Sequence, residues 1–117
     1  MSGDSRSIFT KIIAREIPAD IVFESDTMIA FKDIAPQAPV HLLVVPKTEE
    51  YRDVTELAAG DPALLAEMVA TAEHLAEIHT GGEFRLVFNT GGSVGQTVFH
   101  VHAHVLGGEL AEGTLAK

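Results

Sequence analysis

The stretch Val98-Phe99-His100-Val101-His102-Ala103-His104-Val105-Leu106, closed by Gly107-Gly108, decides how the rest of the chain is read. A strand turns successive side chains to opposite faces. His100, His102 and His104 therefore share one face, and Val101, Ala103 and Val105 share the other. Neighbouring histidines on one face lie roughly 7 Å apart along an extended chain. The pattern predicts a last strand over Val98–Leu106, with one side in the core and three imidazoles in a row on the other.

Imidazole suits chemistry near neutrality because its unperturbed pKa is about 6.5. A neutral ring nitrogen is a competent nucleophile toward phosphorus. It divides one displacement into two through a covalent intermediate. The other ring nitrogen must then be held in one tautomer by a carbonyl or carboxylate. Two other readings compete. The histidines could line a solvated strand face, which strict alternation between valines disfavours. They could instead ligate a transition metal such as zinc, but no carboxylate or cysteine stands beside them in the sequence.

The segment leading into this strand is Asn89-Thr90-Gly91-Gly92-Ser93-Val94-Gly95-Gln96-Thr97. Glycines let a backbone approach a ligand closely and aim N–H groups at it. The stretch lacks the Gly-Lys-Ser/Thr ending of a P-loop, and no helix follows it as a dinucleotide fingerprint requires. Alone it reads as a turn; beside three aligned histidines it reads as an anion cradle. His41 begins another apolar strand and is either a structural histidine or a partner of the three. His74 and His79 fall on a helix and are assigned to solvent or helix-end electrostatics.

Farther out, Ser7 caps a short helix over Ile8–Ala14, ended before Pro18. Ile21–Glu24 and Met28–Lys32 read as strands joined at Ser25-Asp26. Asp33–Pro39 is too proline-rich for either regular element. Val40–Val45 is a nearly continuous apolar strand stopped by Pro46. Val54–Ala58 makes one helical turn, and Asp61-Pro62 then opens a long helix. Its buried stripe is Leu64, Leu65, Met68, Val69, Ala72, Leu75 and Ala76, with Gly81-Gly82 closing it. Phe84–Asn89 alternates as a strand. The order suggests an α+β domain with a meandering, mainly antiparallel sheet.

Composition narrows the function classes. A chain of 117 residues with 46% hydrophobic content is one globular domain by size, with enough chain for a core. It has no cysteine, which excludes a disulfide scaffold, a cysteine-based zinc site and a cysteine nucleophile. The net charge of -9 opposes a nucleic-acid partner, while a small anion can still be held by a local site. No apolar run is long enough to span a bilayer, and Met1–Arg6, read as a frayed tail, has no secretory core. A cytoplasmic location is expected.

As a set, these motifs resemble the histidine-triad (HIT) family, whose signature is His-x-His-x-His followed by apolar residues. The likeness runs from Ile8 to Gly108. It includes Ile8-Phe9, Lys11-Ile12-Ile13, Glu16-Ile17-Pro18-Ala19, Phe31-Lys32-Asp33-Ile34-Ala35-Pro36-Gln37-Ala38-Pro39 and His41-Leu42-Leu43-Val44-Val45-Pro46-Lys47. Asn89 and Leu106-Gly107-Gly108 resemble the Hint branch more than the Fhit branch. The resemblance implies one HIT-like α+β domain over residues 1–117, with a five-stranded, mainly antiparallel sheet, one long helix and one short helix. It implies a hydrolase that cleaves the phosphorus–nitrogen bond of purine nucleoside 5'-phosphoramidates. The alternatives are a Fhit-like dinucleoside polyphosphate hydrolase, a nucleotidyltransferase and a non-catalytic nucleotide-binding scaffold.

The resemblance also implies roles. His102 is the nucleophile, and the His100 carbonyl orients its ring. His104 contacts the phosphate and with His41 assists proton movement. Asn89, Gly95, Gln96 and Thr97 form the phosphate and leaving-group side, and Asp33 takes the ribose hydroxyls. Ile8, Phe9, Ile12, Phe31, Ile34 and Leu43 line the base pocket. The expected partners are purine nucleoside monophosphates or their conjugates and a second copy of the chain, with no cofactor, metal, nucleic acid or membrane. Some relatives carry Cys-x-x-Cys as part of a zinc site where this chain has Ser7 and Thr10. Hint proteins commonly have serine where it has Thr97. Its tail, Glu109–Lys117, lacks the tryptophan found in some of them.

Overall fold

In the computed structural model, which describes residues 6–114, the elements follow the expected order. They are α1 (Ile8–Ile13), β1 (Ile21–Glu24), β2 (Met28–Lys32), β3 (Val40–Pro46), α2 (Val54–Gly60), α3 (Pro62–His79), β4 (Arg85–Val87) and β5 (Ala103–Gly107). The capping predicted from the sequence is present. Ser7 Oγ accepts from Thr10 N–H, and the Asp61 side chain accepts from Leu64 N–H at 3.0 Å with Pro62 opening α3. These bonds satisfy N–H groups that have no partner within their own helix.

All strand pairs are antiparallel, and the sheet order is β1-β2-β3-β5-β4. The expected meander is therefore corrected at its end. The helical crossover carries β4 to the edge, and β5 returns to fill the place between β3 and β4. The histidine segment thus runs into an interior strand, flanked on both sides by backbone partners.

Alternation divides the sheet into two packed faces. Met28, Ala30, Leu42, Val44, Ala103 and Val105 bury against Leu57 of α2 and Met68, Ala72 and Leu75 of α3. Ile29, Phe31, Leu43 and Val45 pack on the other face with Phe9 and Ile12 of α1. Ile8–Ile13 is too short to be stable as an isolated helix, so this packing holds it. The first face supplies most of the core; the second leaves a cleft where α1 stops covering the sheet.

Several boundaries differ from expectation. The β5 ladder begins at Ala103 rather than Val98, because pairing with β3 stops at Val44. The next residues of β3 lead to Pro46, which has no N–H to donate and whose carbonyl accepts from the His100 ring. Of Phe84–Asn89 only Arg85–Val87 pairs, although Phe84, Leu86 and Phe88 all pack toward the core as their alternation predicts. Val69 is exposed rather than buried, and Thr71 takes a buried position in α3. At Arg6 both terminal guanidinium nitrogens lie 2.6 Å from Glu16 carboxylate oxygens. Met1–Ser5 and the end of the tail, 115–117, lie outside the described residues. None of the helices is long and apolar enough to cross a membrane among the described residues.

Candidate active site

A cleft of about 320 Å³ lies between α1, the sheet and the glycine-rich segment. Ile8, Phe9, Ile12, Phe31, Asp33, Ile34, Leu43, Gly95, Thr97, His102 and His104 all line it. Most of the residues that the resemblance assigned to a nucleotide site therefore meet at one place. The walls beside α1 are apolar, and the polar groups gather at the other end. This division suits a ligand with a flat apolar ring and an anionic group. A larger hollow of about 420 Å³ beside Thr80, Arg85 and Gly108 holds no histidine.

The four histidines are held by directional hydrogen bonds. His102 Nδ1 lies 2.8 Å from the His100 carbonyl, which can only accept, so Nδ1 carries the proton. The neutral ring then has an unprotonated Nε2, the form a nucleophile needs. Phe9 stands edge-on to the ring with centroids 4.9 Å apart, fixing its plane.

His41 and His104 form a second chain. Gln37 N–H donates to His41 Nδ1 at 3.0 Å, so a neutral His41 carries its proton on Nε2. That nitrogen donates to His104 Nδ1 at 2.9 Å, which leaves the His104 proton on Nε2. His104 thus presents an N–H donor, whereas His102 presents a lone pair. Their ring centroids are 5.2 Å apart, closer than the roughly 7 Å repeat along a strand. Two adjacent imidazoles therefore have opposite hydrogen-bonding character, set by their partners.

His100 is the most buried of the three aligned histidines, at 1% exposure. Its Nε2–H donates to the Pro46 carbonyl at 2.8 Å, and its Nδ1 lies 2.6 Å from Ser7 Oγ. It faces the same side as His102 but supports the backbone rather than lining the cleft.

Asp33 brings a carboxylate to the histidines across 71 residues of sequence, although the sequence shows none beside them. Its Oδ2 is 3.5 Å from His41 Nε2, and its Oδ1 accepts from Ala35 N–H at 2.8 Å. Asp33, His41 and His104 could offer ligand atoms to a metal, all within 4.8 Å of one another. Here His41 Nε2 and His104 Nδ1 face each other across a proton, and a metal would have to displace that proton.

The glycine-rich segment divides its tasks. Gly95 has φ +104°, a left-handed conformation that a side chain rarely adopts, and a Cβ there would make ordinary contact with the Asn89 side chain alone. Its N–H donates to Gly92 O at 3.1 Å, so it contributes room rather than that donor. Asn89 sits behind it, with Nδ2 3.9 Å from an ideal Gly95 Cβ. The Gln96 side chain is buried away from the cleft. It accepts from Gly91 N–H and donates to Arg52 O and Val98 O, tying the segment to the body. Val98, Ile17, Pro18 and Ala19 also line the cleft; the sequence reading gave none of them a site role, although Ile17-Pro18-Ala19 lies in a stretch that carries the resemblance. The apolar run Ile17-Pro18-Ala19 was the available signal for three of them. His74 packs edge-on to Phe23, away from this chemistry.

Burial holds all four site histidines below the ordinary imidazole value. For His41, Asp33 opposes the effect; for His102, the bond to the His100 carbonyl opposes it. For His100, the bond to Pro46 opposes it. His104 is pushed down to about 4 by burial first and by His102 and His41 next. Each therefore binds protons more readily when unfolded, at about 6.5. The resulting stability is fully present above that value and is lost as pH falls from about 6.5 toward 4. Urea unfolding midpoints are expected to be level between pH 7 and 8 and to drop steadily below 6.5. An unchanged midpoint from pH 7 to 5 would contradict this placement of the neutral rings.

Comparison with known proteins agrees with the geometry. A family model described as "HIT domain" matches residues 14–110. An uncharacterized HIT-like protein of Synechocystis is 51% identical over 106 residues, covering 87% of this chain and 90% of the relative. A purine nucleoside phosphoramidase of Escherichia coli is 43% identical over 104 residues, covering 87% of each. Among solved structures, a HIT family hydrolase from Clostridium thermocellum superposes with a TM-score of 0.83 at 40% identity. It covers 91% of this chain and 93% of that one.

Proposed function

The chain belongs to the HIT family of nucleotide hydrolases, and from that premise we propose that it hydrolyses purine nucleoside 5'-phosphoramidates to the nucleoside monophosphate and an amine. The observation that carries this reading is the set of hydrogen-bond partners that implies opposed tautomers for His102 and His104. The His102 lone pair and the His104 N–H face one cleft whose other end is apolar.

In this reading the base lies between Ile8, Phe9, Ile12, Phe31 and Leu43, and Asp33 accepts from the ribose hydroxyls. Ile34, 97% exposed, stands at the rim of this wall. His102 Nε2 attacks phosphorus, the P–N bond breaks, and the amine departs with a proton taken up from solvent. His104 Nε2–H donates to a phosphoryl oxygen, stabilising the charge that develops there. Water then attacks the nucleotidyl-histidine, His102 leaves with its electron pair, and the proton taken up first is released. Thr97 stands on the leaving-group side, where its methyl group narrows the space for bulky amines. Asn89 and Gln96 act by shaping the segment that carries Gly95 and Thr97. The likeness to the Escherichia coli phosphoramidase supports the choice of P–N bond and purine. A single domain, a homodimer and a cytoplasmic location complete the proposal.

Purified protein, with chelator present, is expected to release AMP from an adenosine phosphoramidate much faster than from a dinucleoside polyphosphate. Preference for the polyphosphate would move the protein to the Fhit-like reading. AMP binding without turnover of either compound would favour a nucleotide-binding scaffold.

A further inference from the structure

The nucleophile and the carbonyl that orients it both lie on a segment that precedes the sheet ladder. Regular pairing of β5 begins only at Ala103. Before it, Val101 N–H donates to Tyr51 O at 3.0 Å and Gln96 Nε2 donates to Val98 O at 3.2 Å. What fixes residue 100 itself is its buried side chain. His100 Nε2 must donate, because its partner, the Pro46 carbonyl, can only accept. In the neutral ring Nδ1 is then an acceptor, and Ser7 Oγ, 2.6 Å away, is the donor. Ser7 Oγ accepts in turn from Thr10 N–H at 3.0 Å and, with its own proton on the shorter bond to His100, can only accept from the Thr10 hydroxyl 3.2 Å away. Each proton in the chain is thereby assigned from one fixed end.

We propose that Ser7 is a positioning residue for the reaction: its hydroxyl locks His100 in place so that the His100 carbonyl holds His102 in the nucleophilic tautomer. The chain runs from Ser7 through the His100 ring to the His100 backbone, and from that carbonyl to His102 Nδ1. It spans 93 residues of sequence and joins the first turn of α1 to the nucleophile. The same helix supplies Ile8, Phe9 and Ile12 to the apolar wall of the cleft. One hydroxyl therefore ties the base-binding wall to the reacting group. The catalytic part of this inference rests on the proposed role of His102.

Capping α1 and donating to His100 can be separated. Alanine at position 7 loses both. Glycine caps nearly as well as serine but has no hydroxyl, and threonine retains cap and hydroxyl. Ser7→Ala and Ser7→Gly are expected to lower kcat about tenfold, the scale of one hydrogen bond, with KM within about twofold. Ser7→Thr is expected to retain most of the activity. Imidazole 15N spectra of the free protein are expected to show His102 protonated only at Nδ1 in the wild type and Ser7→Thr. Both tautomers are expected in Ser7→Ala and Ser7→Gly. A loss in Ser7→Ala that glycine restores would reduce Ser7 to a helix cap and overturn the proposal. So would a single His102 tautomer in all four proteins. The spectra need no substrate, so they decide the positioning role even if the wild type fails to turn over a phosphoramidate.

Discussion

His102→Ala is expected to lower kcat for an adenosine phosphoramidate by at least about 10⁴-fold while AMP still binds within a few-fold of wild type. Removal of a nucleophile abolishes the covalent route and leaves only the acceleration supplied by binding and charge stabilisation. The affinity expectation follows from the cleft, where the apolar wall and Asp33 are contributed by α1, β2, β3 and the loop after β2. The substitution removes a ring that packs edge-on to Phe9 at the end of that wall. Steady-state kinetics and calorimetric titration with AMP check the two halves. Near-normal turnover would reject His102 as nucleophile; lost AMP binding would show that the substitution disturbed the cleft itself.

Leu75→Ala is expected to do the reverse, lowering stability by about 3 kcal/mol without changing kcat at 25 °C. Leu75 is 1% exposed and packs from α3 into the core on the sheet face opposite the cleft. Truncation removes buried methyl groups and leaves a cavity that close-packed neighbours fill only in part. The melting temperature is expected to fall by roughly 10 °C for a domain of this size. A change of only a degree or two would mean that α3 rearranges to fill the space. A large loss of kcat in the folded variant would mean that the two faces of the sheet are coupled.

Those contrasting outcomes follow from an alternation legible in the sequence. His100-Val101-His102-Ala103-His104-Val105 assigned chemistry to one face and core to the other, and the observed burial follows it from Val101 to Val105, while His100 is itself buried. Ser7 and Asp61 were readable as caps because capping depends on residues only a few positions apart. The start of the β5 ladder was not readable, because it depends on how this segment meets the end of β3, where Pro46, 54 residues from His100, lacks an N–H and gives its carbonyl to the His100 ring. Nor was the insertion of β5 between β3 and β4, a choice of partner that periodicity does not encode. In the site, the identities of His102 and His104 were legible, but their opposite tautomers were not. Those depend on the His100 carbonyl and on Gln37 N–H acting through His41. The approach of Asp33 to His41 and the buried orientation of Gln96 likewise depend on tertiary packing.

The central claim is that His102 carries the nucleotidyl group between the two displacements. Its most direct test is to mix the protein with excess adenosine phosphoramidate, quench within the first turnovers in alkali and measure intact mass and modified peptides. Phosphorus–nitrogen bonds to imidazole survive alkali better than acid. The account predicts a mass increase of one adenylyl group, mapped to His102 and absent from His102→Ala. An adduct on another residue would contradict it, as would rapid turnover in which no adduct forms at any quench time.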